Sequence, residues 1–141
     1  GDERNAVTAL NTLELNYLSL KQLLLLEPDY DMVIAINLID RLYEPSKFLS
    51  MIHERINSHG YLIIGSPYTW LEEFTEKSRW LGGYKDEQSG ENVTTLEGLH
   101  AILDSHFTRV AEPFDVPFVI RETQRKYQYS LSEFTIWKKI T

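Results

Sequence analysis

The chain has 141 residues, 43% hydrophobic and 25% charged, the proportions of one ordinary globular domain long enough to bury a core. Its net charge of −7 and pI near 5.1 oppose nucleic acid and an anionic membrane surface, both of which call for a basic face. It has no cysteine, which excludes disulfides and thiol catalysis and suits a reducing compartment, and no apolar run nears the roughly 20 residues of a membrane helix. No signal peptide is visible, so the expected location is cytoplasmic. Gly1 suits a scar of tag removal, and the natural protein is expected to extend upstream of it.

Residues 1–28 admit two readings. Leu10, Leu13, Tyr17, Leu20 and Leu24 recur at gaps of three and four, as on an amphipathic helix. Leu13, Leu15 and Tyr17 also alternate with Glu14 and Asn16, as in a strand. The preferred reading is a strand over residues 12–18, then a helical or irregular leucine run over residues 23–26, closed by Pro28.

Residues 31–66 organise the rest. The apolar run 32–36 ends at Asn37, and a second run, 61–64, ends at Gly65 and Ser66. Between them Phe48, Leu49, Ile52 and Ile56 fall at helical spacing. Pro45 fits the first turn of that helix, and Gly60 fits the position just past it, where φ is often positive. Strand, helix and strand, with both strands apolar on both faces, predict a right-handed βαβ unit in a buried parallel sheet. Ligands of such sheets bind beyond the carboxyl ends of the strands, where Asn37 and Ser66 stand.

Residues 67–93 set Tyr68, Trp70, Phe74, Trp80 and Tyr84 among charges and glycines. A short helix is expected over residues 70–77 and a polar loop over residues 86–92. Thr94-Thr95-Leu96-Glu97 reads as a capping box opening a helix with Leu96, Leu99, Ile102 and Leu103 on one side. Residues 107–119 suit a strand interrupted by Pro113 and Pro117, hence irregular or at an edge. Residues 126–138 suit a last strand, forming with it an antiparallel pair. There Tyr127, Tyr129 and Leu131 share one parity while Phe134 and Ile136 share the other, which predicts a β-bulge near Ser132 and Glu133. The fold class is therefore α/β, one domain, a partial Rossmann-like sheet that is mostly parallel and ends in an antiparallel strand pair.

Four blocks carry a resemblance over residues 28–138. They are Asn37-Leu38-Ile39-Asp40-Arg41-Leu42-Tyr43, Ser66-Pro67-Tyr68-Thr69-Trp70-Leu71-Glu72-Glu73-Phe74, Trp80-Leu81-Gly82-Gly83 and Asp115-Val116-Pro117-Phe118-Val119-Ile120-Arg121-Glu122-Thr123. The chain resembles the second half of a class I S-adenosylmethionine-dependent methyltransferase. Within that class it is similar to the C-terminal domain of the ovothiol biosynthesis enzyme, described as a 4-mercaptohistidine N1-methyltransferase. The family's first half supplies a glycine-rich turn and an acidic residue for the cofactor ribose. Neither is present in this chain: no G-x-G occurs, and Gly82-Gly83 sits in the aromatic segment. Ser19 falls about where such enzymes often carry an acid near the adenine.

The resemblance and the strand ends together single out the candidate residues. Asn37 and Asp40 are candidate S-adenosylmethionine contacts. Equally, Asn37 suits a strand end closed by a local backbone bond, and Asp40 suits a residue that merely precedes a helix. Ser66 and Tyr68 are candidate substrate contacts, an aromatic wall suiting a flat imidazole and a sulfonium cation. Trp70, Phe74 and Trp80 suit core packing. Arg121, Glu122 and Arg125 are candidate partners for the carboxylate and ammonium of an amino-acid substrate, or a solvated charged hairpin. The histidines His53, His59, His100 and His106 show no metal-ligand spacing, and no metal is assigned. The resemblance implies methyl transfer from S-adenosylmethionine to a thiolated histidine, with cofactor binding by this chain alone in question. The alternative is a non-catalytic α/β fragment that pairs with a second copy through an exposed sheet edge.

Overall fold

A computed structural model describes residues 30–141. The expected strand over residues 12–18, the leucine run and Ser19 lie outside the described residues. The first apolar run forms β1 (Tyr30–Ile36) and the second forms β2 (Ile56–Ser66), with α1 (Pro45–Met51) between them. The strands pair in parallel from Met32↔Tyr61 to Ile36↔Gly65. Pro45 stands in the first turn of α1, where its missing N–H is harmless.

The helix is shorter than the apolar spacing predicts. After Met51 the chain tightens into a 3-10 turn, Ile52–Arg55, and Ile56 already begins β2. Gly60 therefore lies inside the strand, and the left-handed residue is His59, with φ of 66°. Gly60 answers a different need: a Cβ there would sit 2.8 Å from the Asp31 carbonyl oxygen of the neighbouring strand.

The remaining elements are β3 (Tyr84–Lys85), β4 (Asn92–Val93), α2 (Thr95–Leu103), β5 (Phe107–Arg109), β6 (Phe114–Thr123) and β7 (Lys126–Lys139). The main sheet is mixed. Its order is β1-β2-β7-β5, with β6 also paired to β7, and β7 runs antiparallel to β2, β5 and β6. β5 and β6 follow one another along one side of β7, and the break between them contains Pro113. β6 continues through Pro117 to Thr123, further than the expected residue 119.

The bulge expected near Ser132 and Glu133 is absent. Register runs unbroken from Phe114↔Phe134 to Arg121↔Tyr127, and the one irregularity lies between Arg121 and Thr123. Tyr127, Tyr129 and Leu131 occupy the same face of β7 as Thr135 and Trp137. The last two are 1% and 0% exposed beneath the helices, while the first three are 48–67% exposed. The register does not slip: cover over the odd-numbered face ends at Leu131, and the buried Ser132 lies on the opposite face.

The helix expected over residues 70–77 gives way to turns and a 3-10 turn, Lys77–Arg79. Side chains there bond to backbone and to one another instead of leaving a helical ladder to form. The Trp70 indole N–H donates to Thr95 Oγ1 at 3.0 Å, the Trp80 indole N–H to the Thr75 carbonyl at 2.9 Å, and the Thr75 hydroxyl to the Leu42 carbonyl. α2 opens on the expected capping box: the Glu97 N–H donates to Thr94 Oγ1 at 3.2 Å and the Thr94 N–H to Glu97 Oε2 at 3.0 Å. Gly82 packs against that same start, where a Cβ would strike the Thr94–Thr95 backbone. The core gathers Leu49, Leu62, Ile64, Leu99, Leu103, Phe107 and Trp137. Among the described residues no helix is long and apolar enough to cross a membrane, and no group of three or more His, Cys, Asp or Glu is placed to hold a metal.

Two outcomes follow from this packing. Trp137→Ala removes a fully buried indole whose N–H donates to Thr135 Oγ1, and costs about 3–5 kcal/mol in urea denaturation. The His53 ring stacks on His106 with centroids 3.6 Å apart, and burial, then His106, hold His53 below its ordinary 6.5. The unfolded chain therefore takes up the proton first, and this contribution to stability is lost as pH falls below about 6.5. Melting temperature measured from pH 7.5 to 5 should decline less steeply in His53→Gln than in the parent.

Candidate functional site

β1 and β2 end at the same level because they are parallel and in register. The Asn37 N–H extends the ladder by donating to the Gly65 carbonyl at 2.8 Å. Asn37 then turns with φ of 54°, and Tyr68, just past β2, turns with φ of 55°. Besides His59 these are the left-handed non-glycine residues among those described, so two of the three flank one rim. Asparagine tolerates this conformation; a tyrosine adopts it only where its surroundings impose it.

Those surroundings are specific. The Tyr68 N–H donates to Ser66 Oγ at 3.0 Å, and the Tyr68 hydroxyl donates to Glu133 Oε1 at 2.9 Å. Glu133 stands on β7 opposite Ser66. Its neighbour Ser132 reaches Asn37 Oδ1 at 3.5 Å, so β7 touches both strand ends. A second brace lies beneath. Asp40, on the 3-10 turn Ile39–Arg41, accepts the Thr69 N–H on Oδ2 at 3.0 Å. Arg41 donates to the Thr69 carbonyl at 2.9 Å, approaches Asp40 Oδ2 at 3.4 Å and lies over the Phe74 ring at 4.7 Å. The loops after β1 and β2 are thus tied at Thr69.

The rim is acidic. Asp115 on β6 sits directly opposite Glu133, a like-charged pair. Burial, then the hydrogen bond and charge of Glu133, then Asp115, push the Tyr68 phenol above its ordinary range. Tyr68 is therefore a fixed, neutral donor throughout the physiological range, and no phenolate is available for base catalysis. Burial also raises Asp40, offset by Arg41 and the Thr69 N–H.

Several candidates lie elsewhere than the sequence reading places them. Asn37 and Tyr68 reach the rim. Asp40 and Ser66 are 1% and 0% exposed; Asp40 Oδ2 accepts the Thr69 N–H and Ser66 Oγ the Tyr68 N–H, while Asp40 Oδ1 is buried with no partner among the described residues, so both lie beneath the rim as braces. Arg121, Glu122 and Arg125 surround the β6–β7 turn. Arg121 pairs with Tyr127, six positions from Glu133 along β7, or about 20 Å. Arg121 folds onto the Thr123 and Gln124 carbonyls, and Glu122 pairs with Lys126 at 3.2 Å, so none of the three shares a pocket with Tyr68 in its own chain. Sequence reasoning missed Glu133, Asp115 and Arg41. Polar Ser132-Glu133 within an otherwise apolar stretch of β7 was the available signal.

The brace has a testable consequence. Asp40→Asn keeps an acceptor for Thr69 and removes a buried charge, and leaves stability near that of the parent. Asp40→Ala orphans the Thr69 N–H and costs about 1–3 kcal/mol in chemical denaturation.

No family model matches this chain, and no curated protein matches it. Solved structures are similar to it. One, described for the conversion of a disulfide bond into a thioacetal group during echinomycin biosynthesis, is 10% identical with a TM-score of 0.49, over 78% of this chain and 49% of that one. Another, a SAM-dependent methyltransferase from Methanosarcina mazei, is 16% identical with a TM-score of 0.49, over 81% of this chain and 61% of that one. The chain thus spans about half to three-fifths of the length of these structures.

Proposed function

We propose that this chain is the acceptor side of an S-adenosylmethionine-dependent N-methyltransferase domain that acts on a ring nitrogen of a thiolated histidine, as in ovothiol biosynthesis. One observation carries the reading: Tyr68, held left-handed at the rim by Ser66 and Glu133, stands beside left-handed Asn37 at the carboxyl ends of two parallel strands. Two of the blocks that resemble the methyltransferase family, residues 37–43 and 66–74, flank this rim from either side. A third, residues 115–123, is β6.

S-adenosylmethionine, when bound, supplies an already activated methyl group. The residues of this chain suit the acceptor more than the donor. Gly82 is closed off by the start of α2, where a Cβ would strike the Thr94–Thr95 backbone. Asn37 presents an exposed amide at the end of β1. Tyr68 offers an aromatic face to a flat ring or a cation and a phenol that stays protonated. Glu133 and Asp115 favour positive charge, such as the ammonium of an amino acid. A neutral imidazole nitrogen attacks without a strong base, which suits a rim that lacks a nucleophile and base pair among the described residues. Orientation and exclusion of water then supply the catalysis, up to roughly 7–11 kcal/mol in well-aligned cases. The acidic composition and lack of cysteine suit a cytoplasmic site of action.

Calorimetric titration of a thiolated histidine into the chain, with and without S-adenosylmethionine, tests this. Binding that weakens about tenfold in Tyr68→Ala, which removes the aromatic face from the rim, is the expected result. Absence of binding, or equal affinity of parent and variant, contradicts it.

A further inference from the structure

We propose that two copies of this chain pair through β6, antiparallel about Phe118, so that Arg121 of each faces Asp115 of the other. The backbone sets up the edge. The Val110 N–H donates to the Ile136 carbonyl and the Ile140 N–H to the His106 carbonyl, so even-numbered residues of β7 direct their backbone groups toward β5 and β6. Unbroken register carries this along the hairpin: even-numbered residues of β6 bond to β7, and odd-numbered ones turn their backbone outward. Among the described residues no strand meets them there. The edge is long and apolar, with Phe114, Val116, Val119 and Ile120 exposed. Pro117, whose missing N–H points outward, guards it only in part, as do the charges of Asp115, Arg121 and Glu122. In the proposed register the Val119 N–H of one copy still donates to the Pro117 carbonyl of the other.

Charge selects the register. Asp115 and Arg121 are equidistant from Phe118, so a two-fold axis there sets each carboxylate against a guanidinium. Sliding by two residues, the smallest step that keeps each side chain on its face, sets Asp115 against Val119 or Thr123 instead. Asp115 also needs a cation: within its own chain it faces Glu133. Arg121 is free to turn, since its contacts to the Thr123 and Gln124 carbonyls, at 3.2 and 3.4 Å, are the long bonds of an exposed side chain.

The pairing delivers a residue to the rim. The partner's Arg121 would stand two strands from Glu133, about 10 Å in backbone terms, with Asp115 between them and all three side chains on one face. Arg121 is remote from Tyr68 in its own chain and approaches it from the second copy. The pairing itself is independent of the proposed reaction; only the use of that guanidinium at the rim rests on the methyltransferase reading.

Sedimentation equilibrium of the full chain tests the pairing by mass alone, so its outcome does not depend on substrate binding. A monomer–dimer equilibrium is expected. D115R and R121D should each raise the dimer dissociation constant about tenfold or more, and the D115R/R121D exchange should return it to within about threefold of the parent. F118C offers a second readout in a chain without cysteine: residues facing each other in a non-hydrogen-bonded pair across the axis should form an intermolecular disulfide on mild oxidation. A monomer at every concentration overturns the proposal. So does a dimer indifferent to both charge reversals and not trapped by F118C.

Discussion

Ala35 faces Ile64 and Ile36 faces Gly65 across a parallel ladder, and both strands therefore run out at the same level. That pairing is the constraint from which the site follows. The helix-facing side of the two strands is closed by Leu62, Ile64 and Ala35, all buried. The chain must leave this ladder at Asn37 and at Ser66, and it leaves with a left-handed residue on each side. Antiparallel β7 lies beside β2 in the same sheet and runs past both exits, which lets one strand supply Ser132 to Asn37 and Glu133 to Tyr68.

Two kinds of support converge on the rim. Asp40 and Arg41 hold Thr69 by its N–H and its carbonyl, which fixes the backbone on one flank of Tyr68. Ser66 and Glu133 fix the residue itself at both its ends. Burial of Asp40 disfavours its charge, and the arginine beside it partly restores it. In the proposed reaction these residues would orient a ligand rather than exchange protons with it. The neutral phenol and the acidic surroundings point the same way, toward a cationic or zwitterionic guest.

Elements that announce themselves locally were legible in the sequence. The two apolar runs, the proline opening α1 and the capping box before α2 each state their structure within a few residues. The arrangement of polar residues at the strand ends was not. Asn37, Asp40, Ser66 and Tyr68 read alike as strand-end polar or aromatic residues. Whether a side chain turns inward depends on partners 29 to 95 positions away, such as Thr69 for Asp40 and Ser132 for Asn37. Parity along β7 misled for a related reason. The exposure of Tyr127, Tyr129 and Leu131 depends on where the helical cover stops, which no pattern within the strand encodes. The same limit placed Arg121 beside the substrate: proximity in the hairpin sequence does not reveal the length of the β6–β7 arm.

The arm and the rim share Asp115 and Glu133, so the electrostatics of the site are tied to whatever meets the free edge of β6. The central claim remains the rim itself. Its most direct measurement is backbone amide chemical-shift mapping of the chain titrated with a thiolated histidine. The account predicts saturable shifts at Asn37, Tyr68, Thr69 and Glu133, with residues 121–125 of the same chain unaffected in a monomeric background. Shifts confined to the β6–β7 turn, or none at the ends of β1 and β2, would contradict it.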